Sequence, residues 1–142
     1  MPDPQDEKTF LRSKMNWELQ NGGKHKVIRA FYQELIAMRA RIPALSELSK
    51  TNQEVVAFAE QSTLFVRRWS GDSHVFIVFH FGETTAEIEA RVPAGRWKRM
   101  LGSVKPVSPS SDAGDSDYLS STGMTQLSLG PWEFCLFIKA TE

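Results

Sequence analysis

Residues 24–42 read KHKVIRAFYQELIAMRARI, and the period of their apolar residues decides how the chain divides. Val27, Ile28, Phe31, Leu35, Met38 and Ile42 recur at steps of one, three or four residues. That spacing lines them along one stripe of an α-helix, with Arg29, Gln33, Glu34, Arg39 and Arg41 mostly on other faces. Asn21-Gly22-Gly23 breaks the chain before the run. Pro43 ends it, because a proline disfavours the helical region for the residue before it. The spacing predicts a long amphipathic helix of roughly 28 Å at about 1.5 Å per residue. The sequence upstream of it is irregular, polar and aromatic, and the sequence downstream reads as strands.

After a short turn at Ala44-Leu45-Ser46-Glu47-Leu48, the period drops to two. Strands are expected at 55–60 and 62–69, then at 74–81 after the hairpin signal Ser70-Gly71-Asp72-Ser73. HVFIVFHF, residues 74–81, is apolar on both faces and reads as the most buried strand. Residues 86–92 alternate cleanly, apolar at even positions and charged at odd ones, which is a strand with one face on a core. Pro93-Ala94-Gly95 reads as a turn before a strand at 96–101 with Trp97 facing in. Residues 103–123 are rich in Ser, Asp, Gly and Pro and read as a long exposed loop, with Tyr118-Leu119 pinned down. Strands at 124–129 and 132–139 close the chain, joined through Gly130-Pro131. About seven strands joined by tight turns, with no helix between them, predict an antiparallel β-sandwich or barrel over 44–142, the sandwich being the expectation. Residues 1–43 then form a separate helical region.

Seventeen basic and seventeen acidic residues give a formal net charge of zero, so nothing draws the chain to nucleic acid or to an anionic membrane. No apolar run reaches the ~18 residues of a membrane span. Cys135 is the single cysteine and sits in the apolar run 134–138, so it reads as a buried, inert thiol. A reducing, cytoplasmic setting is the expectation. The N-terminus, Met1-Pro2-Asp3-Pro4-Gln5-Asp6-Glu7, has no signal-peptide core and reads as a loop cut in its middle. Thr9 is expected to cap a short turn near Arg12-Ser13-Lys14.

Candidate chemistry is sparse. His25 reads as solvated, and His74 and His80 share one strand face without a converging third ligand, so they read as structural. Asp112, Asp115 and Asp117 alternate, but no glutamate follows at calcium-loop distance. Asp3, Asp6 and Glu7 are the paired acids that glycoside hydrolysis needs, yet a terminus cannot fix their separation. Gly22-Gly23 lacks the spacing of a phosphate cradle, and no nucleophile elbow is present. No metal or cofactor is expected. Trp69, Trp97 and Trp132 are the binding candidates, since sugar rings stack on flat aromatic faces; the same three residues suit the bulk of a sandwich core.

Three stretches carry a family resemblance. Phe31-Tyr32-Gln33-Glu34-Leu35-Ile36-Ala37-Met38-Arg39 resembles the last barrel helix of the α-amylase superfamily, which leads into an antiparallel sandwich. Pro2-Asp3-Pro4-Gln5-Asp6, Thr9-Phe10, Arg12-Ser13-Lys14 and Asn16-Trp17 resemble the segment before that helix in the malto-oligosyltrehalose trehalohydrolase family. Leu129-Gly130-Pro131-Trp132-Glu133-Phe134 resembles the end of the same family's sandwich. The resemblance implies a glycoside hydrolase that cleaves the α-1,4 bond beside a trehalose end. Its catalytic Asp, Glu and second Asp lie upstream of the equivalent of Met1, so no catalytic residue maps here. Residues 1–43 would then be the end of a (β/α)₈ barrel, and 44–142 a sandwich that braces it. The alternatives are a stand-alone carbohydrate-binding sandwich and the C-terminal domain of another superfamily member, such as a branching enzyme. The expected partners are the parent's barrel and maltooligosaccharide, and the exposed helix stripe predicts self-association.

Overall fold

The computed structural model describes residues 3, 5–103 and 117–140. Asp112 and Asp115 lie outside the described residues, as does most of the expected 103–123 loop. The chain forms two compact units, Met1–Met38 and Arg39–Glu142.

The first unit holds α1 (Glu7–Ser13), a 3₁₀ turn (Trp17–Asn21) and most of α2 (Gly23–Arg41). Asp6, rather than Thr9, caps α1: its carboxylate accepts the Lys8 amide at 2.9 Å. The Thr9 amide is spent on the Asp6 carbonyl at 2.9 Å. Asn16 repeats the device, accepting the Glu18 amide at 3.0 Å. Two short capped turns thus replace the irregular segment expected upstream. α2 forms over the predicted run, and Met38 is its one buried residue. Val27 is 69% exposed and Ile28 50%; Phe31, Tyr32 and Ile36 are also exposed, so the apolar surface is broader than the stripe read from the sequence.

The second unit opens with α3 (Pro43–Ser46), whose N-cap Ile42 is extended at φ −97°, ψ 112°, as a residue before proline should be. Six strands follow: β1 (Gln53–Phe58), β2 (Thr63–Ser70), β3 (Ser73–His80), β4 (Ala86–Gly102), β5 (Tyr118–Leu129) and β6 (Phe134–Lys139). They make one antiparallel sheet in the order β1-β2-β3-β6-β4-β5. The fold is mainly antiparallel β, as expected, but it has six described strands in one curled sheet instead of seven in a sandwich.

The count falls because Pro93-Ala94-Gly95 is a bulge inside β4, not a turn. The β4–β5 register shifts between Val92 and Gly95, and Gly95 takes φ +135°, which L side chains rarely adopt. The first half of β4 pairs with β5 alone; from Trp97 onward it also pairs with β6. Bending at the bulge lets the β4–β5 arm turn its buried face towards β2, β3 and β6. Phe65, Phe76, Val78 and Cys135 thereby meet Ile88, Ala90, Val92, Trp97, Leu127 and Leu129 in one core. The alternation of 86–92 is realised, with Ala86, Ile88, Ala90 and Val92 buried and Glu87, Glu89 and Arg91 exposed. Ring contacts order the centre: Phe76 stacks on Phe65 at 5.6 Å and on Phe137 at 4.7 Å, and meets Trp97 edge-on at 5.0 Å.

β5 starts at Tyr118, six residues before the expected Met124, so half of it lies in the expected loop. The buried Ser121 gives the physical reason. The Ser121 hydroxyl donates to the Val92 carbonyl at 2.7 Å and accepts from the Gly123 amide at 3.1 Å and from the Thr125 hydroxyl at 2.8 Å. A polar stretch is buried because its groups satisfy one another.

Candidate functional site

The three candidate tryptophans have three different fates. Trp97 is 0% exposed and its indole N–H donates to the Pro93 carbonyl at 3.0 Å, so it is core and presents no face to a ligand. Trp69 is half-buried, and the Arg67 guanidinium lies over its ring at 4.9 Å. Arg67 is itself held by Glu54 at 3.0 Å. Trp132 is 61% exposed, and it stands in the turn before β6 rather than in the strand. The sequence brings none of the three together: one is core, one is capped by an arginine, one is open.

Trp132 is open in a costly conformation. Its φ is +54°, unusual for a bulky residue. Its amide donates to the Gly82 carbonyl at 3.1 Å, and the His80 amide donates to the Glu133 carbonyl at 2.8 Å. These bonds extend the β3–β6 register, in which Phe79 faces Phe134, so that residue 81 falls opposite residue 132. Phe81 is 56% exposed, and Phe79 stacks on both Phe81 and Phe134 at 6.2 Å. Phe79, Phe81 and Phe134 form an aromatic rim, and Trp132 stands exposed in the turn beside it. Phe81 was legible only as the end of an apolar run; the Trp132–Gly82 backbone bond brings the Trp132 turn next to the end of that run.

Glu133 fixes the turn that carries Trp132. Its carboxylate accepts the Gly130 amide at 2.7 Å, the Arg99 guanidinium at 2.9 Å and the Cys135 thiol at 3.4 Å. Burial pushes this carboxyl up, but those three donors outweigh it and hold its pKa below the ordinary range. The same surroundings push the Cys135 thiol up to about 12, with burial as the main cause. At pH 8 that leaves roughly one part in ten thousand as thiolate, so the thiol is inert, in keeping with the sequence reading.

His74 and His80 lie on one strand but do not act together. His80 is buried; its Nδ1 pairs with the Thr63 hydroxyl at 3.0 Å and its Nε2 with the Thr84 carbonyl at 2.7 Å. Its role is structural. His74 lines a surface cleft of about 330 Å³ with Asp72, Gly95, Arg96 and Lys139, at the other end of β3 from the aromatic rim. Burial, then Lys139 and Arg67, lower its pKa, and Asp72 partly opposes them. Among the described residues no three His, Cys, Asp or Glu side chains converge as metal ligands, and no helix is long and apolar enough to cross a membrane.

No family model matches the chain. The malto-oligosyltrehalose trehalohydrolase of Deinococcus radiodurans is 30% identical to it over 102 residues, 71% of this chain and 17% of that protein. The protein of the same name from Rhizobium sp. strain M-11 is 33% identical over 79 residues, 56% of this chain and 13% of that one. This chain resembles the C-terminal region of malto-oligosyltrehalose trehalohydrolase. The chain spans less than a fifth of the length of these trehalohydrolases. A match to the Mycobacterium tuberculosis trehalohydrolase is shorter but higher in identity, 49% over 39 residues, 28% of this chain and 7% of that protein. Solved structures agree on the fold. A protein described as an α-amylase, from Salmonella typhimurium, superposes with a TM-score of 0.66 over 98% of this chain and 20% of its own, at 23% identity. The E221Q variant of AmyP, solved with maltotriose, gives 0.61 over 84% of this chain and 22% of its own, at 17% identity. The likeness to trehalohydrolase therefore comes from sequence, and the likeness to α-amylases from backbone geometry.

Proposed function

We propose that this chain is the non-catalytic C-terminal module of a glycoside hydrolase resembling malto-oligosyltrehalose trehalohydrolase. Its parent would hydrolyse the α-1,4 bond that joins a trehalose end to a maltooligosaccharide, releasing trehalose. In this reading α2 completes the wall of a (β/α)₈ barrel, and the sheet braces that barrel.

The observation that carries the reading is the exposed apolar face of α2. Val27, Ile28, Phe31, Tyr32 and Ile36 lie open on one 19-residue helix. Burying a large aliphatic or aromatic side chain is worth about 1.5–3 kcal/mol, so a face of this size belongs against other elements. The partial match to a much longer enzyme favours a barrel upstream of this chain as the occupant. The test is release of trehalose from a trehalose-capped maltooligosaccharide, measured for this chain and for the chain extended upstream through a whole barrel. Activity is expected in the longer chain alone. Activity in this chain by itself, or in neither, contradicts the reading.

A second reading, a carbohydrate-binding sheet, is favoured by the exposed rings of Trp132 and Phe81. It expects maltotriose to shift tryptophan emission in this chain and to leave the emission of Trp132→Ala unchanged.

A further inference from the structure

The Asn21-Gly22 pair, at the joint between the 3₁₀ turn and α2, plays no part in either reading. We propose that it is a self-modification site, at which Asn21 loses ammonia and becomes an isoaspartyl or aspartyl residue. The Gly22 backbone nitrogen, on giving its proton to hydroxide, attacks the Asn21 Cγ. A new N–Cγ bond closes a five-membered succinimide ring, and the Cγ–Nδ2 bond breaks. The departing nitrogen takes a proton from water and leaves as ammonia, which returns the hydroxide. Water then opens the ring. Attack at Cγ gives aspartate; attack at the backbone carbonyl carbon gives isoaspartate, with the chain now running through Cβ and Cγ. Water and hydroxide are the only co-reactants.

Nucleophile and target lie in one dipeptide, so the attack is intramolecular and needs only rotation within Asn21. The fold permits that rotation. Asn21 ends a 3₁₀ turn of five residues, none of them buried, and a short exposed turn opens readily. The Gly22 amide donates to the Leu19 carbonyl at 3.3 Å, a long bond that holds the nucleophile lightly. Gly22 is exposed and extended, at φ −138° and ψ 159°, and brings no Cβ to shield its nitrogen. The other two asparagines of the chain are held back. The Asn16 side chain is engaged as a cap on the Glu18 amide at 3.0 Å, and the bulk of Trp17 crowds the nitrogen that would attack. Asn52 accepts the Trp69 amide at 3.2 Å and precedes Gln53, the first residue of β1. The product bears on α2. The Gly22 carbonyl accepts the Lys26 amide at 3.2 Å in the helix's first turn, and an isoaspartyl link inserts one extra backbone carbon just ahead of it.

The test is peptide mapping by mass spectrometry after this chain is aged in heavy-oxygen water at neutral and mildly alkaline pH, then digested in ordinary water. The Asn21 peptide is expected to exchange its amide nitrogen for one heavy oxygen, and to become a methyl acceptor for protein isoaspartyl methyltransferase. The rate is expected to rise about tenfold per pH unit, as the deprotonated fraction of the Gly22 amide does. Gly22→Ala places a Cβ beside the attacking nitrogen in space that holds nothing within 4 Å. It is expected to slow the reaction by about tenfold, a barrier rise of about 1.4 kcal/mol, with the circular dichroism spectrum unchanged. Conversion of Asn16 or Asn52 as fast as Asn21 overturns the proposal. So does a folded Gly22→Ala chain that reacts at the native rate, or an Asn21 peptide that keeps its mass through prolonged alkaline ageing.

Discussion

Trp97→Ala is expected to lower the unfolding free energy of the sheet unit by about 3–5 kcal/mol, the cost of deleting a large aromatic from a packed core. Domains of this size are stable by about 5–15 kcal/mol, so the variant would stand near the edge of folding. The effect has three sources. Trp97 is fully buried, and its removal leaves a cavity beside Phe76, whose ring meets it edge-on at 5.0 Å. The Pro93 carbonyl loses its indole donor. Pro93 belongs to the bulge that bends β4, so the cavity opens where the β4–β5 arm turns over the core. Urea unfolding followed by far-ultraviolet circular dichroism measures the loss. Trp132→Ala is the comparator: the same deletion at a 61% exposed side chain is expected to stay within about 0.5 kcal/mol. Equal losses for the two would contradict the assignment of Trp97 to the core and Trp132 to the surface.

Much of the architecture was legible because two periods dominate the sequence. The three-and-four spacing of 27–42 gave α2, and the strict alternation of 86–92 gave the first half of β4. What escaped was either punctuation with a second use or a polar stretch with internal satisfaction. Pro93 and Gly95 mark turns in most contexts. Here they sit where the β4–β5 register slips, a place in a sheet that tolerates a missing amide and a positive φ. Residues 118–123 look like loop because they are small and polar, yet Ser121 and Thr125 bury their hydroxyls against each other and against Val92. The site was less legible than the fold. Alternation put Trp132 in the last strand; its positive φ and its bond to Gly82 place it in a turn. Asp72, Arg96 and Lys139 are scattered along the sequence, and only the order β3-β6-β4 makes them neighbours.

The second large effect is conditional, which makes it the sharper one. Ile28→Ala is expected to be nearly silent in this chain, within about 0.5 kcal/mol, because Ile28 is 50% exposed and alanine is the better helix former. In the chain extended upstream through a barrel, the same substitution is expected to cost about 2–5 kcal/mol, because α2 would then bury that face. The change in context, not in chemistry, produces the difference. The proposed role makes α2 one wall of a larger structure. The stability change caused by Ile28→Ala, measured in both chains under the same conditions, decides whether it has that role. A cost confined to the extended chain is the predicted result; a silent substitution in both would contradict that role.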